Sequence, residues 1–300
     1  MVFGISCGSK KVAIVPPQTP VIPEVKKIAD NFNEDFDSIL QKKWVDSIYN
    51  TMTFDERVGQ LFMISAYSNK DSEHANAIDK LIQENKVGGL IFFQGGPVRQ
   101  AKLTNRFQSK SKVPLLIGID AEWGLSMRLD STYRYPFNMT LGAIQNKKLL
   151  EKVGVYMGEE NKRIGVHFNF APVLDINTNP KNPIIGFRSF GENKENVAES
   201  ALAMMKGYQS LGLLATGKHF PGHGDTEIDS HHALPTITFS KERLDSIEMY
   251  PYKKLFAEGL ASVMVAHLNV PSLESRPNIP SSVSHSIITD ILKNQLGLKA

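Results

Sequence analysis

The titratable side chains that could do chemistry in this chain are concentrated in residues 218–226 (KHFPGHGDT) and 229–231 (DSH). Three histidines, two aspartates and one lysine lie here among glycines and a proline, directly after the apolar run at 213–215. An imidazole beside a carboxylate gives and takes a proton near neutral pH. The segment therefore predicts a site of acid–base chemistry in a loop at the end of a strand.

Six apolar runs alternate with helical stretches along the chain. They lie at 60–66, 87–93, 114–120, 166–176, 213–219 and 261–267. Helices are predicted at 37–52, 98–109, 148–164, 194–211, 241–258 and 284–296, and Thr53 is predicted to start a further one. Strands that are apolar throughout and alternate with helices predict a parallel sheet covered on its faces.

The positions of the polar residues favour a barrel over an open, doubly wound sheet. Asp120, Asp175, Lys218 with His219, and His267 each stand at the end of an apolar run. In a TIM-type (β/α)8 barrel, all these ends face one mouth, where catalysis takes place. A glycine-rich phosphate loop does not follow the first run, which argues against a dinucleotide-binding sheet.

Counting units predicts a barrel truncated after about the sixth βα unit. The sixth strand ends near His267, and the amphipathic pattern at 284–296 is followed by Gly297, a predicted helix C-cap. Residues 31–300 are therefore interpreted as an incomplete barrel domain. Asp290 falls inside the last predicted helix.

Composition narrows the classes of function. A 41% hydrophobic share and a net charge of +3 are typical of a globular protein, and a basic stripe for nucleic acid is not evident. No apolar run reaches the roughly 18 residues that predict a membrane-spanning helix. With Cys7 as the single cysteine, neither an intrachain disulfide nor a cysteine metal cluster is expected, and no cofactor is predicted.

The first 30 residues are interpreted as a lipoprotein-like N-terminus and a proline-rich linker. Residues 2–6 (VFGIS) before Cys7 resemble the end of a bacterial lipoprotein signal, after which the cysteine becomes acylated. The prolines at 16, 17, 20 and 23 favour extended chain. The predicted location is therefore exported, either periplasmic or anchored to a membrane through lipidated Cys7. An ordinary cysteine in a cytoplasmic protein is the alternative.

Several sequence blocks, in this order, resemble the β-N-acetylglucosaminidase branch of glycoside hydrolase family 3. They are 59–62 (GQLF), 88–91 (GGLI), 118–122 (GIDAE), 171–176 (APVLDI), 188–191 (RSFG) and 218–235, which opens with the long block KHFPGHG. The resemblance implies a TIM-type barrel that removes terminal β-linked N-acetylglucosamine from glycans or peptidoglycan fragments with retention of configuration.

The resemblance also implies roles for particular residues. His231 is implied as the acid/base and Asp229 as the carboxylate that holds it. The implied sugar-binding residues are Asp120, Arg188, Lys218 and His219. Three structural alternatives stay open at this point: an ion pair of Arg188 with Asp175, a purely structural His219, and Asp120 as a helix cap. His223 and Asp225 are interpreted as residues that shape the loop, and His267 as a residue that lines the mouth.

The family's nucleophile is an aspartate that follows a strand expected beyond residue 300. The chain by itself is therefore predicted to be inactive. A β-glucosidase or β-xylosidase of the same family and a non-catalytic glycan-binding barrel are the alternatives. Asp229 and His231 argue against both. A zinc site on the histidine cluster is disfavoured because its spacing lacks an HExxH or a His-x-His pair.

Overall fold

The computed structural model describes residues 34–226 and 234–298. Six parallel strands lie side by side in chain order. They are β1 (Met63–Tyr67), β2 (Gly89–Gln94), β3 (Leu116–Ile119), β4 (Phe168–Asn169), β5 (Leu214–Phe220) and β6 (Ser262–Val265). Among these strands the order never reverses, so there is no switch point of a doubly wound sheet. The sequential parallel order confirms the predicted α/β class and is that of a TIM-type barrel.

Helices precede β1, occupy the connections between the strands and follow β6. They are α1 (Glu34–Tyr49), α2 (Phe54–Gly59), α3 (Ser72–Asn85), α4 (Pro97–Gln108), α5 (Asn138–Gly142), α6 (Lys147–Arg163), α7 (Lys194–Gln209), α8 (Lys241–Ser246), α9 (Tyr250–Phe256) and α10 (Ser286–Gln295), of which α10 has π-helical hydrogen bonding. The chain divides into two units, Met1–Met52, in which α1 is the described helix, and Thr53–Ala300, which holds all the strands. None of the described helices is long and apolar enough to cross a membrane. The predicted boundaries of the linker and the domain at residues 30 and 31 stay predictions.

The core lies between the sheet and the helices that cover it. Side chains of the central strands, such as Leu90, Phe92 and Ile117, are fully buried, which explains why these strands are apolar throughout. On the outside, α6 and α7 pack closely through glycines. A Cβ atom at Gly154 would lie 2.6 Å from the Met204 carbonyl oxygen, so only glycine allows this approach.

Local sequence signals account for several helix ends. Thr53 caps α2 in a capping box, since the Glu56 N–H donates to the Thr53 hydroxyl while the Thr53 N–H donates to the Glu56 carboxylate. α3 lies where no helix is predicted, although Asp71 caps it by accepting from the His74 N–H. Gly297, at a φ of 80°, follows α10 as predicted.

Two predicted elements differ from the structure. The run at 166–176 forms a strand only at Phe168–Asn169, because Pro172 lacks an N–H for the ladder and residues 173–176 follow as buried, irregular chain. The predicted helix at 241–258 is two helices, α8 and α9. Pro251 stands in the first turn of α9, the place where a helix tolerates proline, and this position starts a new helix.

Candidate active site

The carboxyl ends of β3 and β5 open into a cavity of about 530 Å³. Charged and polar side chains form one part of its lining and apolar side chains the rest. The lining residues are Ile91, Phe93, Asp120, Glu122, Trp123, Met127, Arg128, Ile184, Arg188, Lys218, His219, His223, Met264, Val265, Ala266 and His267. A half-open cavity of this size with a few convergent polar groups is the usual form of a small-molecule site.

Lys218 is the centre of the charged lining. Its side chain is only 2% exposed, and its Nζ lies 2.8 Å from Asp120 Oδ1 and 2.8 Å from Glu122 Oε1. Asp120 and Glu122 stand two residues apart just after β3, and both reach the same ammonium group. A buried ammonium ion requires such partners, because water no longer solvates it.

Two arginines extend this pairing to both sides. Arg128 Nη2 donates to Asp120 Oδ2 at 2.7 Å. Arg188 holds Glu122 through two bonds, Nε to Oε2 at 3.0 Å and Nη2 to Oε1 at 2.7 Å. We call the alternating series Arg128, Asp120, Lys218, Glu122 and Arg188 the charged network. Each member is oriented by its neighbours, so the network presents a fixed set of donors and acceptors.

His219 is held by a second carboxylate. Its Nδ1 lies 2.6 Å from Asp175 Oδ2, and the buried Asp175 also accepts from the backbone N–H groups of His219 and His223. On the other side of the ring, Arg188 Nη2 lies 3.4 Å from His219 Nε2. The Asp175 carboxylate can only accept, so Nδ1 must donate to it, and the Arg188 guanidinium can only donate, so Nε2 must accept. We therefore assign the neutral tautomer with the proton on Nδ1.

Electrostatics keep the carboxylates of the site ionised and the imidazole neutral. Burial raises the pKa of the Glu122 carboxyl, but the Lys218 ammonium and the Arg188 guanidinium outweigh it and lower the pKa to about 2. For Asp120, Lys218 and Arg128 likewise outweigh burial, and the pKa is lowered. Burial lowers the pKa of His219, and Asp175 opposes this only in part.

The structure brings together four of the residues predicted from the resemblance: Asp120, Arg188, Lys218 and His219. Their sugar-binding roles stay predictions. The ion pair of Arg188 forms with Glu122, whereas Asp175 pairs with His219. The carboxylate of Asp120 accepts from two cations and does not cap a helix.

Sequence reasoning missed Glu122 and Arg128. A signal for Glu122 is present, because residues i and i+2 of an extended segment share one face, which places Glu122 beside Asp120. Nothing equally local points to Arg128. It comes from the turn after the short helix Leu125–Met127, and its partner becomes evident only in three dimensions.

The loop after β5 is shaped by its own polar side chains. His223 Nδ1 lies 2.7 Å from the Thr226 hydroxyl, and Asp225 accepts from the Thr178 hydroxyl at 3.3 Å. These bonds agree with the predicted loop-shaping role of His223 and Asp225. His267 lines the cavity, as predicted, with its Nδ1 2.6 Å from the Ser282 hydroxyl.

The predicted acid/base pair cannot be compared with this geometry. Asp229 and His231 fall in residues 227–233, outside the described residues, as does Cys7. Within residues 34–226 and 234–298, His, Cys, Asp and Glu side chains do not gather in any group of three or more that could hold a metal ion.

Comparisons of sequence and of structure relate this chain to known proteins. A protein named beta-hexosaminidase A from Pseudoalteromonas piscicida is 34% identical over 243 residues, covering 73% of this chain and 41% of the relative. A protein named beta-N-acetylglucosaminidase/beta-glucosidase from Cellulomonas fimi is 30% identical over 262 residues, which cover 85% of this chain and 46% of the relative. The solved structure of a family 3 β-N-acetylglucosaminidase from Paenibacillus sp. str. FPU-7 matches with a TM-score of 0.76 and 40% identity. The match covers 82% of this chain and 48% of the solved chain.

This chain therefore spans less than half the length of each of these relatives. The model of the glycosyl hydrolase family 3 N terminal domain matches residues 53–300, which include every strand and the whole charged network. On the family model and on these relatives, the chain belongs to glycosyl hydrolase family 3.

Proposed function

We propose that the protein containing this chain hydrolyses terminal β-linked N-acetylglucosamine with retention of configuration. The observation that carries the proposal is the charged network beside His219, which lines a cavity at the carboxyl ends of β3 and β5. Sugars are bound through their hydroxyl groups, and charged groups that are already oriented make the strongest hydrogen bonds to them. The proposal is further supported by two relatives, one named beta-hexosaminidase A and the other a family 3 β-N-acetylglucosaminidase.

In this proposal the acidic and the basic members of the network have different tasks. The Asp120 carboxylate accepts from sugar hydroxyls, while Arg188 and Lys218 donate to them. His219 directs its one unprotonated nitrogen, Nε2, at Arg188 Nη2 across a long 3.4 Å contact, and in this proposal a sugar hydroxyl takes the place of that contact and donates to Nε2. Since each group is fixed by partners on its far side, little conformational entropy is lost when the sugar binds.

The bond-breaking step is assigned to groups outside the described residues. Protonated His231, supported by Asp229, gives its proton to the glycosidic oxygen while a carboxylate attacks the anomeric carbon and the bond to the leaving group breaks. Neutral His231 then takes a proton from water, whose oxygen displaces the carboxylate. At the described mouth, Asp120, Glu122 and Asp175 are all engaged by cations or N–H groups, so we assign none of them as this nucleophile.

The experiment is a comparison of two chromogenic substrates, made on the complete reading frame that contains this chain. We expect release of p-nitrophenol from the β-N-acetylglucosaminide and little from the β-glucoside. The assay is run with and without inorganic phosphate, and the sugar product is analysed. Sugar phosphate as the product would replace hydrolysis by phosphorolysis, and sugar binding without turnover would support a glycan-binding barrel instead.

A dual specificity is the second candidate, because the Cellulomonas fimi relative carries both activities in its name. Comparable turnover of both substrates would favour it.

For the natural substrate we propose peptidoglycan fragments that end in N-acetylglucosamine. Release of that sugar from purified fragments, followed by mass spectrometry, is expected at a rate at least similar to that on chitin fragments. A clear preference for chitin fragments would contradict this.

We also propose that Cys7 is acylated and anchors the protein to a membrane on the exported side. Its support is the sequence pattern before Cys7 and the proline-rich segment after it. In cells fed a labelled fatty acid, we expect label in the wild type and none in Cys7→Ser, which should move to the soluble fraction. Equal labelling of both proteins, or of neither, would contradict acylation of Cys7.

A further inference from the structure

Three aromatic rings form a cluster, and one of them, Trp123, lines the cavity. We call Trp123, Phe137 and Phe187 the aromatic platform. The ring centroids of Trp123 and Phe137 are 4.9 Å apart, those of Phe137 and Phe187 are 4.4 Å apart, and those of Trp123 and Phe187 are 6.0 Å apart. The rings pack edge to face or tilted, at interplanar angles of 81°, 45° and 63° for these three pairs, and so form one apolar cluster that the charged network does not use.

Two rings of the platform are attached directly to the charged network. Trp123 follows Glu122 in the sequence, and Phe187 precedes Arg188. Because Arg188 and Glu122 hold each other through two hydrogen bonds, the backbones that carry both rings are fixed by the sugar site itself.

The third ring is fixed in the same way. Phe137 precedes Asn138, whose Nδ2 donates to the Arg188 carbonyl oxygen at 2.8 Å. The Arg134 guanidinium carbon lies 5.0 Å from the centroid of the Phe137 ring and covers one of its faces. The accessible part of the platform is therefore formed mainly by Phe187 and Trp123.

Two rings of the platform are accessible. Trp123 lines the cavity together with the charged residues, while Phe187 is 52% exposed. A large ring that is held in place yet half exposed contributes little to the core. Next to a sugar site, such a ring offers a flat apolar surface to the C–H face of a pyranose.

We propose that the aromatic platform binds the sugar ring of the leaving group, next to the sugar held by the charged network. The inference rests on the proposed function, since an enzyme that removes a terminal sugar also has to hold the ring on the other side of the bond. The network then recognises hydroxyl groups of the first ring. The platform recognises the C–H face of the second ring and tolerates different substituents on it.

The test measures binding without turnover. Trp44 and Trp123 are the two tryptophans of the chain, so Trp44→Phe leaves Trp123 as the reporter within it. Any tryptophan that the full-length protein has outside this chain is replaced as well. The probes are N-acetylglucosamine and a sulfur-linked disaccharide of N-acetylglucosamine, which resists hydrolysis.

We expect the disaccharide to change the emission of Trp123 and to bind more tightly than the monosaccharide. Phe187→Ala should weaken disaccharide binding about tenfold and leave monosaccharide binding within about twofold. Phe187→Tyr, which keeps the ring, should bind both sugars like the wild type. The matched control is Tyr156→Ala on α6. This variant also loses an aromatic ring of similar exposure, 56%, but at a position that is distant in sequence from the network residues.

The outcomes separate the platform from the proposed hydrolysis. Equal weakening for both sugars by Phe187→Ala would mean that the ring only supports the site, and no weakening would also overturn the platform. A change in self-association of Phe187→Ala without a change in sugar binding would likewise overturn the platform as a sugar site. Ring-dependent binding of the disaccharide without hydrolysis of any substrate would keep the platform and overturn the proposed activity. Hydrolysis of the β-N-acetylglucosaminide together with disaccharide binding that Phe187→Ala leaves unchanged would keep the proposed activity and overturn the platform. A protein that binds neither sugar would contradict both proposals.

Discussion

Replacing Lys218 by methionine is expected to destabilise the protein by about 3–5 kcal/mol, because it leaves two buried carboxylates without their shared cation. Glu122 is fully buried and Asp120 nearly so, and the Lys218 Nζ lies 2.8 Å from both. Methionine has a similar volume, so the loss measures charge and not a cavity. The measurement is the free energy of unfolding in urea at pH 7.

The matched control is Lys206→Met. Lys206 pairs with Glu258 at 2.9 Å, but both side chains are close to half exposed. An ion pair in water contributes little, so this variant should lose less than about 1 kcal/mol. If the two variants lose the same amount, the buried position of Lys218 does not matter and the argument for the charged network fails.

The pH dependence of stability gives a second readout for Lys218. The pKa of Glu122 is about 2 in the folded protein, below its ordinary value of 4.5, so the folded state favours the ionised form. This stabilisation is complete above pH 4.5 and is lost as the pH falls from 4.5 towards 2, because the unfolded chain takes up the proton first. In Lys218→Met, the pKa of Glu122 rises, and the loss of stability over this interval should be smaller.

Replacing His231 by alanine is expected to lower kcat of the full-length protein by about a hundred- to ten-thousand-fold, the range attributed to a general acid or base. The effect should depend on the leaving group. A sugar alcohol needs a proton as it leaves, whereas p-nitrophenolate leaves well without one. We therefore expect a larger loss on a disaccharide than on the p-nitrophenyl substrate. Asp229→Asn should also lose more activity on the disaccharide than on the p-nitrophenyl substrate, but both losses should be smaller than in His231→Ala.

The neighbouring histidine provides the control for this prediction. His232→Ala removes an imidazole one position away, and its kcat should stay within about threefold of the wild type if the acid/base role belongs to His231. A loss of similar size in both variants would indicate that the loop as a whole was disturbed. Equal losses on the two leaving groups would contradict the role of His231 as proton donor.

Much of the fold is determined by local sequence patterns. Each of the six apolar runs overlaps a described strand, because a strand buried on both faces has to be apolar throughout. The Thr53 capping box and Gly297 mark helix ends through hydrogen bonds and a backbone angle that only a few residue types provide. Where the patterns failed, at 166–176 and 241–258, a proline decided the outcome within an otherwise continuous run.

The sequence by itself determined which residues stand at the ends of strands, and so placed Asp120, Lys218 and His219 at one mouth. It did not determine which charge pairs with which. Lys218 meets Asp120 across 98 positions of sequence, and Arg188 meets Glu122 across 66. Only the tertiary structure decided these partners, together with Arg128 and the three rings of the aromatic platform. The physical reason is that a side chain's partners and solvent exposure are set by strand order and packing, whereas local patterns report only the backbone conformation of their own segment.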